Sequence, residues 1–264
     1  MEDFLRLEIP SFVPVYEEGI TYGYKNAKEK ARTKEALCNA SKGYCMYCFC
    51  RIETDGKIHG NLEHAIEKNN SEQLVECIPN IGLACQYCNQ SFKRLGEKKR
   101  KLPLKIIKQF EEKSPCHAGR RKQCTVPCSA LRELQDSYSR QDGAQILLQP
   151  MKVMGQQTGE WLELEYDVLN MEFQPASACS YSEEEKDFIR EHIKRFRLND
   201  PQFRSRKLFL FLQEVIDANG SLQNDNGYEN KMVELFADKL KDKTKEERLK
   251  ICNSIYKIVF LKMQ

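Results

Sequence analysis

The chain has 264 residues, with 42 Lys and Arg against 39 Asp and Glu and a net charge of +3. That length can bury a sizeable core, as one large domain or two small ones, and the near-balanced charge excludes a chain-wide polycation and leaves local clustering as the electrostatic signal. With 41% apolar and 31% charged residues the composition is ordinary for a soluble globular protein, and no stretch approaches the roughly 18–20 apolar residues of a membrane span.

Residues 1–24 alternate apolar and turn residues, as in Ile9-Pro10-Ser11-Phe12-Val13-Pro14-Val15-Tyr16, and read as an extended arm. Asn26 caps a predicted helix over 27–39, made of good formers such as Ala27, Lys28, Glu29 and Ala31, and Gly43 ends it. Residues 44–95 form a cysteine-containing module. Short β pieces at 48–52 and 60–64 are expected to pair as its hairpin, followed by a helix over about 86–95. The connector, 96–180, is basic and turn-rich, with one half-buried strand where 161–168 alternates. Ser182 and Glu185 make a capping box that opens a helix to about 197. Further helices are expected over 201–219, 229–242 and 244–262, with Asn224-Asp225-Asn226-Gly227 as a loop. The fold class expected is α+β, mainly α: an N-terminal arm and helix (1–43), the module (44–95), the connector (96–180) and a helical C-terminal domain (181–264). In the first helix of that last part His192 falls at the core edge, and Lys207-Leu208-Phe209-Leu210-Phe211-Leu212 is apolar enough to be buried all round or to meet a partner.

The stretch Met1–Arg6 has no long apolar run after a basic start, which argues against a signal peptide. The 12 cysteines are therefore expected in a reducing, cytoplasmic setting that favours metal thiolates over disulfides. Cys45-x-x-Cys48 and Cys85-x-x-Cys88 have the spacing of a closed, four-thiolate structural zinc site, which in so small a unit supplies folding free energy. Cys116-His117, Cys124 and Cys128 form a second, irregularly spaced candidate zinc set; free thiols in a loop bearing Arg120, Arg121 and Lys122 are the alternative. Cys38, Cys50, Cys77, Cys179 and Cys252 read as small buried apolar residues, with Cys50 close enough to the first knuckle to mimic a ligand.

Between the knuckles lie Glu63-His64, at the end of a presumed strand, and then Asn80; Asn89 follows the last cysteine. Phosphodiester hydrolysis needs a base to deprotonate water and a divalent cation to hold the phosphate and leaving oxygen. Histidine has the pKa range for the first task, and carboxylate and amide oxygens are suitable hard ligands for Mg²⁺ or Mn²⁺. Lys93, Arg94, Lys98, Lys99, Arg100 and Lys101 follow, then Lys105 and Lys108, with Glu97 the sole acid between 93 and 108. Such a run suits phosphate-backbone contact without base reading; a solvated basic loop is the bland alternative. His59 reads as a hairpin-turn residue.

On these residues the module resembles the HNH (ββα-metal) endonuclease family. The resemblance spans about 45–93 and includes Cys85-x-x-Cys88-Asn89-x-x-x-Lys93. It implies that His64 is the general base, that Glu63 and Asn89 bind a catalytic Mg²⁺ or Mn²⁺, and that Asn80 supports the loop orienting His64. The acid is Glu where the family more commonly has Asp, and the third letter is Asn rather than His. The family favours double-stranded DNA as substrate. Leu198-Asn199-x-x-x-Phe203-x-x-Arg206, after a predicted helix, resembles the tail of bacterial anti-phage HNH effectors of the Septu and retron-associated type, a more diffuse likeness over about 40–210. It implies a partner ATPase, met through the C-terminal helices. A non-catalytic zinc-finger adaptor and an RNA-cleaving toxin are the rival readings.

Overall fold

The structure, a computed structural model, describes residues 4–115, 124–200, 206–222 and 227–262. Helix α1 (Ala27–Ser41) starts where Asn26 Oδ1 accepts the Lys28 and Glu29 amides at 2.9 and 3.2 Å, satisfying amides that no helical carbonyl reaches. It runs two residues past the expected 39, to Ser41, and stops where Lys42 (φ 54°) caps it in the left-handed region and Gly43 (φ 79°) donates its amide to the Cys38 carbonyl at 2.9 Å. The chain then folds around the first cysteine pair. Phe49, at φ 63°, donates its amide to the Cys45 carbonyl at 2.9 Å. A two-residue ribbon, β2 (Glu53–Thr54) with β3 (Lys57–Ile58), leads into β4 (Asn61–His64).

The partner of β4 differs from the expected one. Residues 48–52 are taken up by the knuckle turn, with a bridge from Tyr44 to Arg51, so they do not pair with 60–64. Instead β4 pairs antiparallel with β5 (Ile81–Ala84), placing Glu63 opposite Gly82 and His64 opposite Ile81. Strand β5 is buried throughout, so it lacks the alternation that marks a half-buried strand. A single wide turn over Tyr87–Phe92 follows, closed by the Lys93 amide on the Cys88 carbonyl five residues back. Such π turns are rare and often accompany functional sites.

The N-terminal arm is partly a strand. β1 (Arg6–Glu8) joins β6 (Leu164–Asp167) and β7 (Glu172–Pro175) in an antiparallel sheet ordered β1-β6-β7. The connector, expected to be turn-rich, contains two helices that pack together, α2 (Leu104–Lys113) and α3 (Ser129–Ser139). Their buried stripes, Ile107 and Phe110 on one and Leu131, Leu134 and Tyr138 on the other, are diluted in sequence by charged residues. Helix α4 (Glu183–Arg195) opens on the Ser182–Glu185 capping box and buries Ile189, His192 and Ile193. In the C-terminal part α5 (Arg206–Asp217) lies along α7 (Lys245–Lys262), with α6 (Lys231–Leu240) beside them. Helix α5 buries Leu208, Phe211, Leu212 and Val215 but leaves Leu210 exposed; it is amphipathic, not buried all round. The architecture is α+β, mainly helical with small sheets.

One apolar cluster runs from Phe4 to Val259. Phe4 meets Phe236 edge-on, Phe49 stacks on Phe173, and Tyr47 stacks on Phe196. The start of α6 closes over the first cysteine pair: Arg51 N–H donates to the Glu229 carbonyl at 2.8 Å and Lys231 N–H to the Phe49 carbonyl at 2.9 Å. Among the described residues no helix is long and apolar enough to cross a membrane.

Candidate metal centre and adjoining cleft

Cys45, Cys48, Cys85 and Cys88 are all buried, and their sulfurs lie within 4.8 Å of one another. Tetrahedral Zn–S bonds of about 2.3 Å require sulfurs roughly 3.8 Å apart, and Cys48 and Cys85 are 3.6 Å apart. The four cysteines are thus close enough to hold a structural zinc ion. Backbone amides already point at the sulfurs: Cys85 N–H at Cys45 Sγ (3.2 Å) and Cys88 N–H at Cys85 Sγ (3.4 Å). Burial opposes ionisation of Cys45, but hydrogen bonds from Cys50, Cys85 and Cys88 outweigh it and draw that thiol well below its ordinary range. Cys50 does sit against the set, 3.3 Å from Cys48 Sγ. Its hydrogen bonds to Cys45 and Cys85 push its own pKa up.

Against this centre lies an open cleft of about 250 Å³, lined by Glu63, His64, Glu67, Lys68, Asn69, Asn89, Lys93, Arg94 and Glu97. Strand β4 delivers Glu63 and His64, and the wide turn after β5 delivers Asn89. Both oxygens of Glu63 are engaged: Oε2 accepts from the Tyr47 hydroxyl at 2.7 Å, and Oε1 pairs with the Lys93 ammonium. Lys93 Nζ also donates to the His64 carbonyl and, at 2.8 Å, to that of Ala65. Burial and the nearby Arg100 guanidinium draw Lys93 well below the ordinary lysine value; Glu63 is the counter-charge in contact with it. Opposite Glu63, a Cβ on Gly82 would lie 2.7 Å from the Gln149 carbonyl oxygen, so no side chain fits there.

His64 Nε2 is 3.0 Å from the Val75 carbonyl. A carbonyl only accepts, so Nε2 carries the proton and Nδ1 is the free base. Burial lowers the His64 pKa, against a smaller opposing effect of the Val75 bond, and keeps the ring neutral near neutrality. The Tyr24 ring stands edge-on to it at 4.5 Å. Asn80 is buried and locks the loop after β4: its Oδ1 accepts the Ile66 amide at 2.8 Å and its Nδ2 donates to the Ile66 carbonyl at 2.9 Å. Glu67 Oε1 accepts from Arg100 Nε and Nη2 (3.0 and 2.7 Å) and from the Tyr138 hydroxyl (2.9 Å). Its Oε2 is buried and has no hydrogen-bond partner among the described residues.

The basic run divides. Arg94, Lys98, Lys99 and Lys101 are exposed, with Lys99 3.5 Å from Asp142. Lys93 and Arg100, expected to contact nucleic acid, are instead 4% and 0% exposed. Arg100 is turned inward onto Glu67, Tyr138 and the carbonyls of Lys93 and Leu95, so it does not reach a bound phosphate. For the second cysteine set, Cys116 and His117 lie outside the described residues. Cys124 and Cys128 share a small pocket with Cys77, but among the described residues they join no group of three or more His, Cys, Asp or Glu close enough to hold a metal; the first four cysteines form such a group. His59 is exposed, and His192 is buried in the core.

Sequence reasoning missed Tyr47, Glu67 and Tyr138. The only local signals were the place of Tyr47 between the first two cysteines and of Glu67 three residues after His64. The divalent cation implied by the HNH resemblance fits these donors in kind, since a carboxylate, an amide and two carbonyls are hard oxygen ligands, but three of these oxygens already hold Lys93 Nζ, which a bound cation would have to displace.

Comparison with protein-family models, with curated proteins and with solved structures finds no match.

Proposed function

We propose that the protein is a metal-dependent endonuclease of the HNH type, with β4, β5 and the wide turn Tyr87–Phe92 as its ββα-metal unit and the four-cysteine centre as its scaffold. The observation that carries this reading is His64: it is held by Nε2, keeps a free and neutral Nδ1, and lines one cleft with Glu63 and Asn89. His64 Nδ1 takes the proton from the attacking water, and the Val75 carbonyl stabilises the imidazolium that results. Asn80 fixes the loop that presents it. Glu63 and Asn89 are the residues that would hold a Mg²⁺ or Mn²⁺ ion, which when bound supplies Lewis-acid stabilisation of the leaving 3′ oxygen. Exposed Arg94, Lys98, Lys99 and Lys101 hold the phosphate backbone, with double-stranded DNA as the substrate.

The anti-phage setting with a partner ATPase belongs to the same proposal, and exposed Leu210, Phe260 and Leu261 on α5 and α7 offer such a partner apolar surface. One observation favours a second reading, a non-catalytic zinc adaptor: both Glu63 oxygens already have partners, one of them a cation.

Plasmid cleavage by wild-type protein and His64→Ala, with Mg²⁺ or Mn²⁺ and an EDTA control, separates them. Metal-dependent nicking lost in the variant, with zinc content retained, is the expected result. Equal cleavage by both removes His64 from the mechanism. No cleavage by the wild type with any divalent ion, alone or with a co-purified partner, favours the adaptor. RNA degraded at least as fast as DNA changes the substrate.

A further inference from the structure

Ion pairing divides the charges that line the cleft. Glu63 is matched by Lys93 and Glu67 by Arg100. That leaves Lys68 and Arg94 against Glu97, which accepts from Asn69 Nδ2 at 3.2 Å. A further cation stands near His64. Lys30 on α1 and Lys68 after β4 each place an ammonium 4.8 Å from the centroid of the Tyr24 ring, the ring that meets His64 edge-on. Among the described residues neither lysine has an acid in ion-pair contact. Glu76 is engaged by the Tyr24 and Lys25 amides at 2.7 and 2.8 Å, Lys25 meets Glu72, and Glu29 faces Gly23. Both lysines are exposed. Behind the larger effect of burial, and against Val75 and Glu76, their charges also disfavour protonation of His64. An aromatic face attracts one ammonium. Two of them from separate elements, with no carboxylate paired to either, repel each other, and an anion held between them removes that repulsion.

We propose that Lys30 and Lys68, positioned by Tyr24, form a phosphate clamp that holds the nucleic-acid backbone against His64. Lysine meets phosphate as a point charge and reads no base. The clamp rests on the nuclease reading of the cleft. It adds backbone contacts from α1 and from the turn after β4, far in sequence from the basic run at 93–101.

The test is the anisotropy of a labelled DNA duplex titrated with the zinc-loaded full chain at several salt concentrations, without added divalent cation. Wild type is compared with Lys30→Gln/Lys68→Gln and with Lys30→Arg/Lys68→Arg, and all three are assayed for Mg²⁺-dependent nicking. Loss of two phosphate contacts in the Gln pair should lower the slope of log affinity against log salt by about 1.8 and weaken binding roughly tenfold or more at low salt. In nicking, KM should rise while kcat stays within about twofold. The Arg pair keeps both charges and should bind as the wild type does. Unchanged slope and affinity in the Gln pair overturn the clamp, and nicking by the wild type beside them leaves the nuclease reading standing. A loss as large in the Arg pair as in the Gln pair also overturns it, because charge is then not what was removed. A lowered slope in the Gln pair with no nicking by the wild type keeps the clamp and removes the nuclease. No duplex binding by the wild type removes the clamp. An RNA duplex titrated in parallel assigns the phosphates: tighter binding that loses the same slope in the Gln pair keeps the clamp and changes the nucleic acid.

Discussion

His192 and Asn80 are polar side chains buried for different reasons, and each makes a measurable claim. His192 Nδ1 accepts the Leu147 amide at 3.0 Å, and the ring packs against Phe196. Burial, with a smaller effect of Arg195, lowers its pKa to about 3, against about 6.5 in an unfolded chain. Between those values the unfolded chain binds a proton that the folded one refuses. Stability is therefore expected to fall as pH drops through this window, by about 1.4 kcal/mol per pH unit for this group. Urea unfolding at about pH 7 and about pH 5 checks it: His192→Asn keeps an acceptor without a titrating ring, so its loss between the two should be smaller than the wild type's. For Asn80, replacement by Ala strips the two bonds to Ile66 and leaves that buried amide and carbonyl unpaired. A loss of about 1–3 kcal/mol per orphaned group, seen as a lower denaturation midpoint with zinc content unchanged, is the expected outcome. Sequence spacing made Asn80, Glu63 and His64 visible because they flank a metal-ligand pattern. It gave no sign that Tyr47 holds Glu63, since that contact depends on how β4 is laid across the knuckle.

Among the elements, legibility followed local chemistry. Helices α1 and α4 were readable because their caps, Asn26 and the Ser182–Glu185 box, lie within the same few residues. Strand β4 was readable, but its partner was not, because pairing with β5 is decided across the loop between them. The basic run shows the same limit. Eight cations between 93 and 108 look alike in sequence, yet the turns they occupy point Lys93 and Arg100 inward and leave Arg94, Lys98 and Lys101 outside. Arg100 joins the end of the wide turn, through the Lys93 and Leu95 carbonyls, to Glu67 after β4 and Tyr138 on α3. Removing one member of a buried ion pair strands the other. Arg100→Ala is accordingly expected to cost on the order of 3–5 kcal/mol in a denaturant titration. Arg100→Lys should rescue little of it, because one ammonium cannot reproduce the guanidinium fork. Lys98→Ala, on the exposed side, should leave stability within about 0.5 kcal/mol of wild type.

For the molecule as a whole, the division at about residue 180 does not coincide with a gap in the core. The apolar cluster is continuous, and the β1-β6-β7 sheet joins the N-terminal arm to the connector. The metal centre is consequently expected to stabilise more than its own module. Stripping zinc with a strong chelator should lower the amide-exchange protection of α6 along with that of β4 and β5, in one transition. Independent loss, with α6 still fully protected, would show two separately stable units. A chain cut at about 180 should for the same reason fail to give a cooperative melt.

The closure of the first cysteine pair by Glu229–Lys231 also orders events in time. During synthesis the thiols of 45–88 emerge long before the segment that covers them. A ribosome must add some 140 further residues before the Phe49 carbonyl meets the Lys231 amide. The cover over the first knuckle is therefore among the last parts of the molecule to be set, and a nascent or truncated chain is left with a metal site but no finished edge.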